Sequence, residues 1–433
     1  MAPPRETTKT GGRSATTRTI PGEVALSVGE TAMSTPDGWR WRKLTDIARL
    51  ESGHTPSRKH PEYWDGDIPW IGIRDATRNH GKRIADTIQH TNELGIANSS
   101  ARILPENTVC LSRTASVGYV IVMGRPMATS QDFVNWVCSE KLNPEFLRYL
   151  LLAERDSFLR FASGATHQTI YFPEVKAFHI CYPPLPEQER IVAILDEALE
   201  GIATATAHAE RNLHNARELF QSVLQSTFEQ KGEDWVKTTL GDATGGVSTG
   251  PFGSLLHKKD YVENGIPLVN PAHITDTGIE PDSRKTVSLE TSERLSSYSM
   301  SVGDIVIGRR GEMGRCAVVT TVEDGWLCGT GSFFIKPSEK AIPDFLVSYL
   351  RSDGCRERLE SIAGGAVMKN LSNTALSNFV IPLPPVEEQK AIVQKLDALA
   401  TEIRRLEAVY QRKLDALAEL KQSLLQRAFA GEL

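Results

Sequence analysis

Long apolar runs are missing from this sequence. The longest, such as YVIVM (119–123), are strand-sized, whereas a membrane-spanning helix needs about 20 apolar residues. No membrane partner is therefore expected. No leader-like apolar segment opens the chain either, so the expected compartment is cytoplasmic. Cysteine is sparse and scattered: the six stand at 110, 138, 181, 316, 328 and 355, with no C-x-x-C pair. That spacing excludes a zinc framework and a disulfide scaffold and leaves buried, reduced thiols. An excess of positive charge is missing too, since 49 Lys and Arg stand against 54 Asp and Glu, a net charge of −5. Bulk charge thus offers no grip on nucleic acid. Its distribution matters more: residues 186–232 hold eight acids and four bases, and residues 386–433 hold eight of each. Those two segments carry −4 of the −5, so any phosphate contact must come from local clusters or from a partner.

Catalytic motifs are also missing. There is no G-x-x-x-x-G-K-[ST] phosphate loop, no H-E-x-x-H and no G-x-S-x-G. The glycines of GRRGEMG (308–314) are spaced by three and make no dinucleotide fingerprint. Holding a flipped base for amino methylation needs an N/D-P-P-Y/F tetrapeptide. VNPAH (269–273) lacks its second proline and its aromatic. Glu174-Val175-Lys176 and Glu388-Gln389-Lys390 mimic the E-x-K end of a nuclease metal site, a triplet common by chance. The chain is read as one that binds and does not catalyse, with no metal site and no cofactor of its own.

What is present is a repeat. WRKLTDIA from Trp41 returns as WVKTTLGDA from Trp235, PEFLRYLL (144–151) as PDFLVSYL (343–350), and Gly164 of SGATHQTI as Gly365 of GGAVMKNL. The corner PPLPEQERIVAILD (183–196) returns as PPVEEQKAIVQKLD (384–397). Each half holds about 145 residues of short apolar runs with Gly, Pro and Asn punctuation, such as NTVCLSR, VGYVIVM, GDIVIGR and GSFFIKP, which read as strands and turns. Each is expected to be a small α/β or α+β domain, so the fold class is an α/β (α+β) tandem repeat.

A helix of about 45 residues follows each half. Its apolar seam falls at Ile191, Leu195, Ala198, Ile202, Ala205, Ala209, Leu213, Ala216, Phe220 and Val223 in the first copy. In the second it falls at Ile392, Leu396, Leu399, Ile403, Leu406, Tyr410, Leu414, Leu417, Lys421 and Leu424. The 4–3 alternation is a coiled-coil seam with one 4–4 step, broken only by Lys421. Small residues on the first helix opposite large ones on the second would let the two approach closely, and one chain folding back on itself brings its repeats together as an antiparallel pair. At about 1.5 Å per residue such a rod is about 65 Å long, suited to spacing two globular units.

These residues bring the chain to a known family. GWRWRKLTDIARLESGHTPSRKHPEYWDGDIPWIGIRD (38–75) resembles the start of a target recognition domain in the specificity subunit of type I restriction–modification enzymes. TGPFGSLLHKKDYVENGIPLVNPAHI (249–274) resembles another subtype of that domain. The two proline corners and the terminal LKQSLLQRAFAGEL resemble the family's two long helices. The resemblance covers residues 37–433. It implies that each globular domain reads one half of a split target in double-stranded DNA and that the paired helices set the gap. It also implies docking of two methyltransferase subunits, through which motor-nuclease subunits join. S-adenosylmethionine, ATP and Mg would belong to those partners. The expected domains are recognition domains at 37–185 and 233–385 and spacer helices at 186–232 and 386–433. Because SGHTPSRKH differs from TGPFGSLLH, the half-sites should differ. A specificity subunit of a fused nuclease–methyltransferase, or a coiled-coil scaffold with no DNA role, remain alternatives.

Reading DNA needs phosphate contacts for affinity and base-edge contacts for sequence. Arg and Lys suit guanine, and Asn and Gln suit adenine. In the first half the candidate DNA-binding residues are Thr55, Ser57, Arg58, Lys59, Arg74, Arg78, Arg113, Ser116, His167 and Gln168. In the second they are Ser254, His257, Lys258, Lys259, Asn270, His273, Arg309, Arg310, Lys369 and Asn370. Arg113 and Arg309 lead, because each enters a Gly-terminated turn (SRTASVG, GRRGEMG). Tyr63, Trp64 and Trp70 are expected to anchor the loop. Residues 1–36, rich in Thr, Pro, Gly and Arg, are expected to be a disordered tail, with Met33 as the natural start.

Overall fold

The computed structural model describes residues 19–164, 167–230, 232–365 and 369–433, apart from the side chain of Ser254. Its contacts divide into two units. Unit 1 comprises the chain up to His208 together with Lys413–Leu433, and unit 2 comprises Ala209–Arg412. The division falls inside the two long helices. The physical reason is that each globular core is completed by part of both helices.

In unit 1 a five-stranded sheet runs in the order Ala48–Ser52, Phe133–Cys138, Val109–Ser112, Val120–Met123, Arg83–Ile84. Its central strands are buried on both faces. Val109, Leu111, Val120 and Val122 enter the main core, while Cys110, Ile121, Met123 and Phe133 enter a second one. Continuous apolar runs are the signature of such doubly covered strands. Unit 2 repeats the plan: Ile305, Ile307, Phe333 and Ile335 face one core, and Val306, Ala317 and Phe334 face another. Five cysteines are buried and Cys138 is half-buried, all as free thiols. Burial pushes Cys138 and Cys355 up to about 12 and Cys181 and Cys316 up to about 11, which leaves little reactive thiolate at neutral pH.

The long helices span Leu185–Glu229 and Val386–Phe429, a few residues short of their expected ends. In unit 1 the beginning of the first (Ile191, Val192, Leu195) packs with the end of the second (Leu425, Ala428, Phe429). In unit 2 the end of the first (Leu224, Phe228) packs with the beginning of the second (Leu396, Ile392). Arg217 also donates to Glu407 there at 2.6 Å. The pairing is antiparallel. Lys421, the expected break in the seam, is exposed, and one further position of the second helix does not hold, because Leu406 is 41% exposed. At Leu406 the helix turns its neighbour Glu407 towards Arg217 instead.

The proline corner has a specific lock that the helical pattern did not reveal. Gln188, fully buried in the first turn, donates to the carbonyls of Lys141 (3.0 Å) and Pro183 (2.9 Å) and accepts from the Asn143 amide (2.8 Å). Gln389 does the same with Lys340 (2.9 Å), Pro384 (2.8 Å) and Ile342 (2.8 Å). Each glutamine ties the helix start to the loop entering an earlier helix of the same half, Pro144–Ala153 or Pro343–Arg351. The repeated Gln in PEQ and EEQ was the available signal.

The expectation of a disordered tail through residue 36 is corrected; residues 1–18 lie outside the described residues. Strands Ile20–Pro21 and Leu26–Val28 join a four-stranded sheet with Phe178–Tyr182 and Arg40–Lys43. Leu26 and Val28 are fully buried. The adjoining turn surrounds Glu154, also fully buried, whose carboxylate accepts backbone N–H bonds from Glu23, Val24, Ala25 and Leu26 at 2.6–3.0 Å. Low periodicity hid this segment because two- and three-residue strands are too short to show a period. A start at Met33 would remove both strands and all four donors.

Candidate nucleic-acid interface

Each unit builds its polar surface on a glycine that lets two backbones touch. A Cβ on Gly53 would lie 1.9 Å from the Ser130 carbonyl oxygen, and one on Gly250 would lie 2.0 Å from that of Gly329. No side chain fits at that distance, so the polar segments after Gly53 and Gly250 run against matching loops. Sequence reasoning passed over both glycines, although each opens its polar stretch.

Beside that junction stand Arg113 and Arg309 in equivalent frames. The Arg113 amide donates to Asp132 O (2.8 Å) and its carbonyl accepts from Ile170 N (2.8 Å). The Arg309 amide donates to Gly331 O (2.9 Å) and its carbonyl accepts from Leu371 N (2.9 Å). Each guanidinium lies over an aromatic ring, Arg113 over Phe172 at 4.8 Å and Arg309 over Phe333 at 5.4 Å. Burial lowers the pKa of both from the ordinary arginine value. Both arginines are half-buried and hold the neighbouring loop as well as facing the surface.

In unit 1 that loop brings Arg113 and Ser116 towards His167 and Gln168, through the Thr114–Thr169 hydroxyl pair (2.8 Å) and the Ser163–Thr169 bridge. His167 and Gln168 are exposed. Gln131 extends the group: its carbonyl accepts from Arg113 Nη2 at 3.2 Å and its side chain bonds Thr55. Ser57, Arg58 and Lys59 are exposed on the next turn. There Trp70 is buried, and Trp64 and Tyr63 are half-buried, so the aromatic residues anchor the loop as expected. Arg74 and Arg78 stand exposed on the short helix Ile73–Arg78.

In unit 2, Arg309 Nε donates to Asn370 Oδ1 at 3.1 Å, and Arg310 forms a backbone bridge with Asn370. Lys369 is exposed and paired with Glu360 at 2.7 Å. His257, Lys258 and Lys259 are exposed around the turn Lys258–Asp260, and the Ser254 side chain lies outside the described residues. Asn270 is half-buried, its Oδ1 against Gly329. His273 is a correction. It is 9% exposed, with Nδ1 3.0 Å from Leu268 O and 3.3 Å from Asn270 N. Its ring serves the turn Pro271–His273 and not a solvent-facing surface.

Among the described residues no cluster of His, Cys, Asp or Glu is placed to hold a metal, and no helix is long and apolar enough to cross a membrane. The family model described as type I restriction modification DNA specificity domain matches residues 36–211 and again 233–412. The type I restriction enzyme MjaIX specificity subunit of Methanocaldococcus jannaschii is 26% identical over 424 residues, 92% of this chain and 94% of that one. The EcoBI specificity subunit of Escherichia coli is 23% identical over 427 residues, 93% of this chain and 87% of that one. Among solved structures, one concerned with complex assembly and conformational transition of the type I R-M system has a TM-score of 0.74 at 22% identity. It covers 93% of this chain and 100% of its own. The HsdS subunit from Thermoanaerobacter tengcongensis has a TM-score of 0.56 at 21% identity, covering 93% and 99%.

Proposed function

This chain belongs to the family of type I restriction–modification DNA specificity domains and is a DNA specificity subunit; we propose that it reads an asymmetric bipartite target without catalysing any step. Unit 1 reads one half-site in double-stranded DNA and unit 2 the other. The observation that carries this is the same frame built twice, with Arg113 and Arg309 in matching bonds but different polar surfaces around them. Matching frames suit matching tasks, and different surfaces suit different bases.

The long helices, 45 and 44 residues, set the gap between the half-sites and dock two methyltransferase subunits, with motor-nuclease subunits joining through those. S-adenosylmethionine, ATP and Mg are held by the partners, and the complex acts in the cytoplasm. Co-expression of the full chain with its methyltransferase subunit in a methylation-deficient host, followed by single-molecule methylome sequencing, tests this. One asymmetric two-part motif is the expected result; a continuous or palindromic motif overturns it. Removing seven residues from each helix should change the gap and leave both half-sites intact. Altered half-site bases with an unchanged gap would refute the spacer role.

A further inference from the structure

We propose that Arg58 and Gln89 form a guanine-reading pair in the first half-site, with Trp64 and Trp70 as the cradle that fixes the guanidinium. The inference rests on the DNA-reading function above and adds Gln89, which the sequence did not single out. The Arg58 guanidinium carbon lies 4.9 Å from the centre of the Trp64 ring and 5.5 Å from that of Trp70, within the roughly 6 Å reach of a cation–π contact. The rings are fixed in turn. They meet edge to face at 5.2 Å, and the buried Trp70 donates its indole N–H to His54 O at 3.1 Å. Its backbone amide donates to Thr87 Oγ1 at 3.0 Å, and that hydroxyl donates to Gln89 O at 2.7 Å. Gln89 sits directly across the strand pair from Trp70, and its Oε1 accepts from Arg58 Nη2 at 3.1 Å.

The direction of that last bond decides the chemistry. A guanidinium only donates, so the Gln89 amide must turn its oxygen inward and its NH2 group outward. With that oxygen turned towards Arg58, the groups the pair directs outward are N–H donors. In the major groove guanine offers two acceptors, O6 and N7. Adenine and cytosine place an amino donor there, and thymine places a methyl group beside its single acceptor. Donors alone therefore match guanine and oppose adenine and cytosine. A backbone phosphate is the other acceptor of the same chemistry. It needs charge but no fixed plane, whereas two rings and an amide here hold the arginine fork in one orientation.

Methylome sequencing of the full chain with its methyltransferase subunit tests the pair, using Arg58→Ala, Arg58→Lys and Gln89→Glu. Both Arg58 variants should relax one guanine position of one half-site roughly tenfold or more, because lysine keeps the charge but not the fork. Gln89→Glu should relax the same position by satisfying Arg58 internally. The other half-site, read by unit 2, should stay unchanged and reports that the complex still assembles. An unchanged motif in both Arg58 variants overturns the proposal. So does a phosphate pattern, in which Arg58→Lys behaves as wild type and Arg58→Ala weakens methylation uniformly at an intact motif. A wild-type chain that directs no bipartite methylation overturns the functional reading itself, which separates that failure from this one.

Discussion

The two units close the same sheet in different ways. Strand Phe178–Tyr182 in unit 1 and strand Val380–Leu383 in unit 2 are repeat equivalents, pairing with Arg40–Lys43 and Val236–Thr239, so that Trp39, and not Trp41, is the structural counterpart of Trp235. In unit 1 the second edge is covered: Leu26–Val28 pairs with it, and the Cys181 amide donates to Ala25 O at 2.9 Å. In unit 2 the position of Cys181 is taken by Pro382, which has no N–H to offer. The Val380 carbonyl is taken instead by an Arg358 guanidinium N–H. An open edge invites pairing with another chain, and proline and a charged side chain blunt it. The comparison shows that the repeat conserves the strand but not the means of protecting it. Where the chain supplies a covering segment the edge keeps its donor; where it supplies none the donor is removed. The cost is visible in Val236 and Val380, left 63% and 43% exposed.

The strongest way to break this comparison is to delete residues 19–32. Unit 1 should lose about 3–5 kcal/mol, the burial of the Leu26 and Val28 side chains, while unit 2 is unaffected. Hydrogen exchange resolved by unit would show it; equal protection in both units would mean that the segment is dispensable. Cys181→Pro comes next, at about 3 kcal/mol from the lost ladder bond and ring clash, read by urea denaturation of unit 1. Gln188→Ala and Gln389→Ala sharpen what the units share. Each should cost about 2 kcal/mol by stranding buried backbone groups, and clearly unequal losses would mean that the two corners are not the same device. Smallest is Pro382→Ala, expected to change stability by less than about 0.5 kcal/mol but to raise concentration-dependent association in light scattering. Unaltered association would show that Arg358 alone suffices.

Much of this was legible because repetition amplifies weak signals. A 45-residue helix shows many turns of its period, and a second copy in register makes chance implausible, so both long helices could be read from pattern. Arg113 and Arg309 stood out for the same reason, each ahead of a glycine-bounded turn. His273 misled because a polar residue after a strand looks the same whether it faces solvent or closes a turn; only its 3.0 Å approach to Leu268 O distinguishes the two. Gln89 was missed because nothing local marks it. Its importance comes from a cross-strand position beside Trp70 and a long-range bond to Arg58.

By itself the sequence determined the duplication, the antiparallel helices and the unpaired thiols, because period, composition and repeat register are properties of the chain itself, and its resemblance to known recognition-domain motifs supplied the family. Tertiary structure alone decided that residues 20–28 belong to the fold, that two glutamines lock the corners, and which polar side chains are free to face a ligand. Those outcomes depend on groups far apart in the chain meeting at hydrogen-bond distance, such as Glu154 with Glu23–Leu26. No local pattern encodes such a meeting.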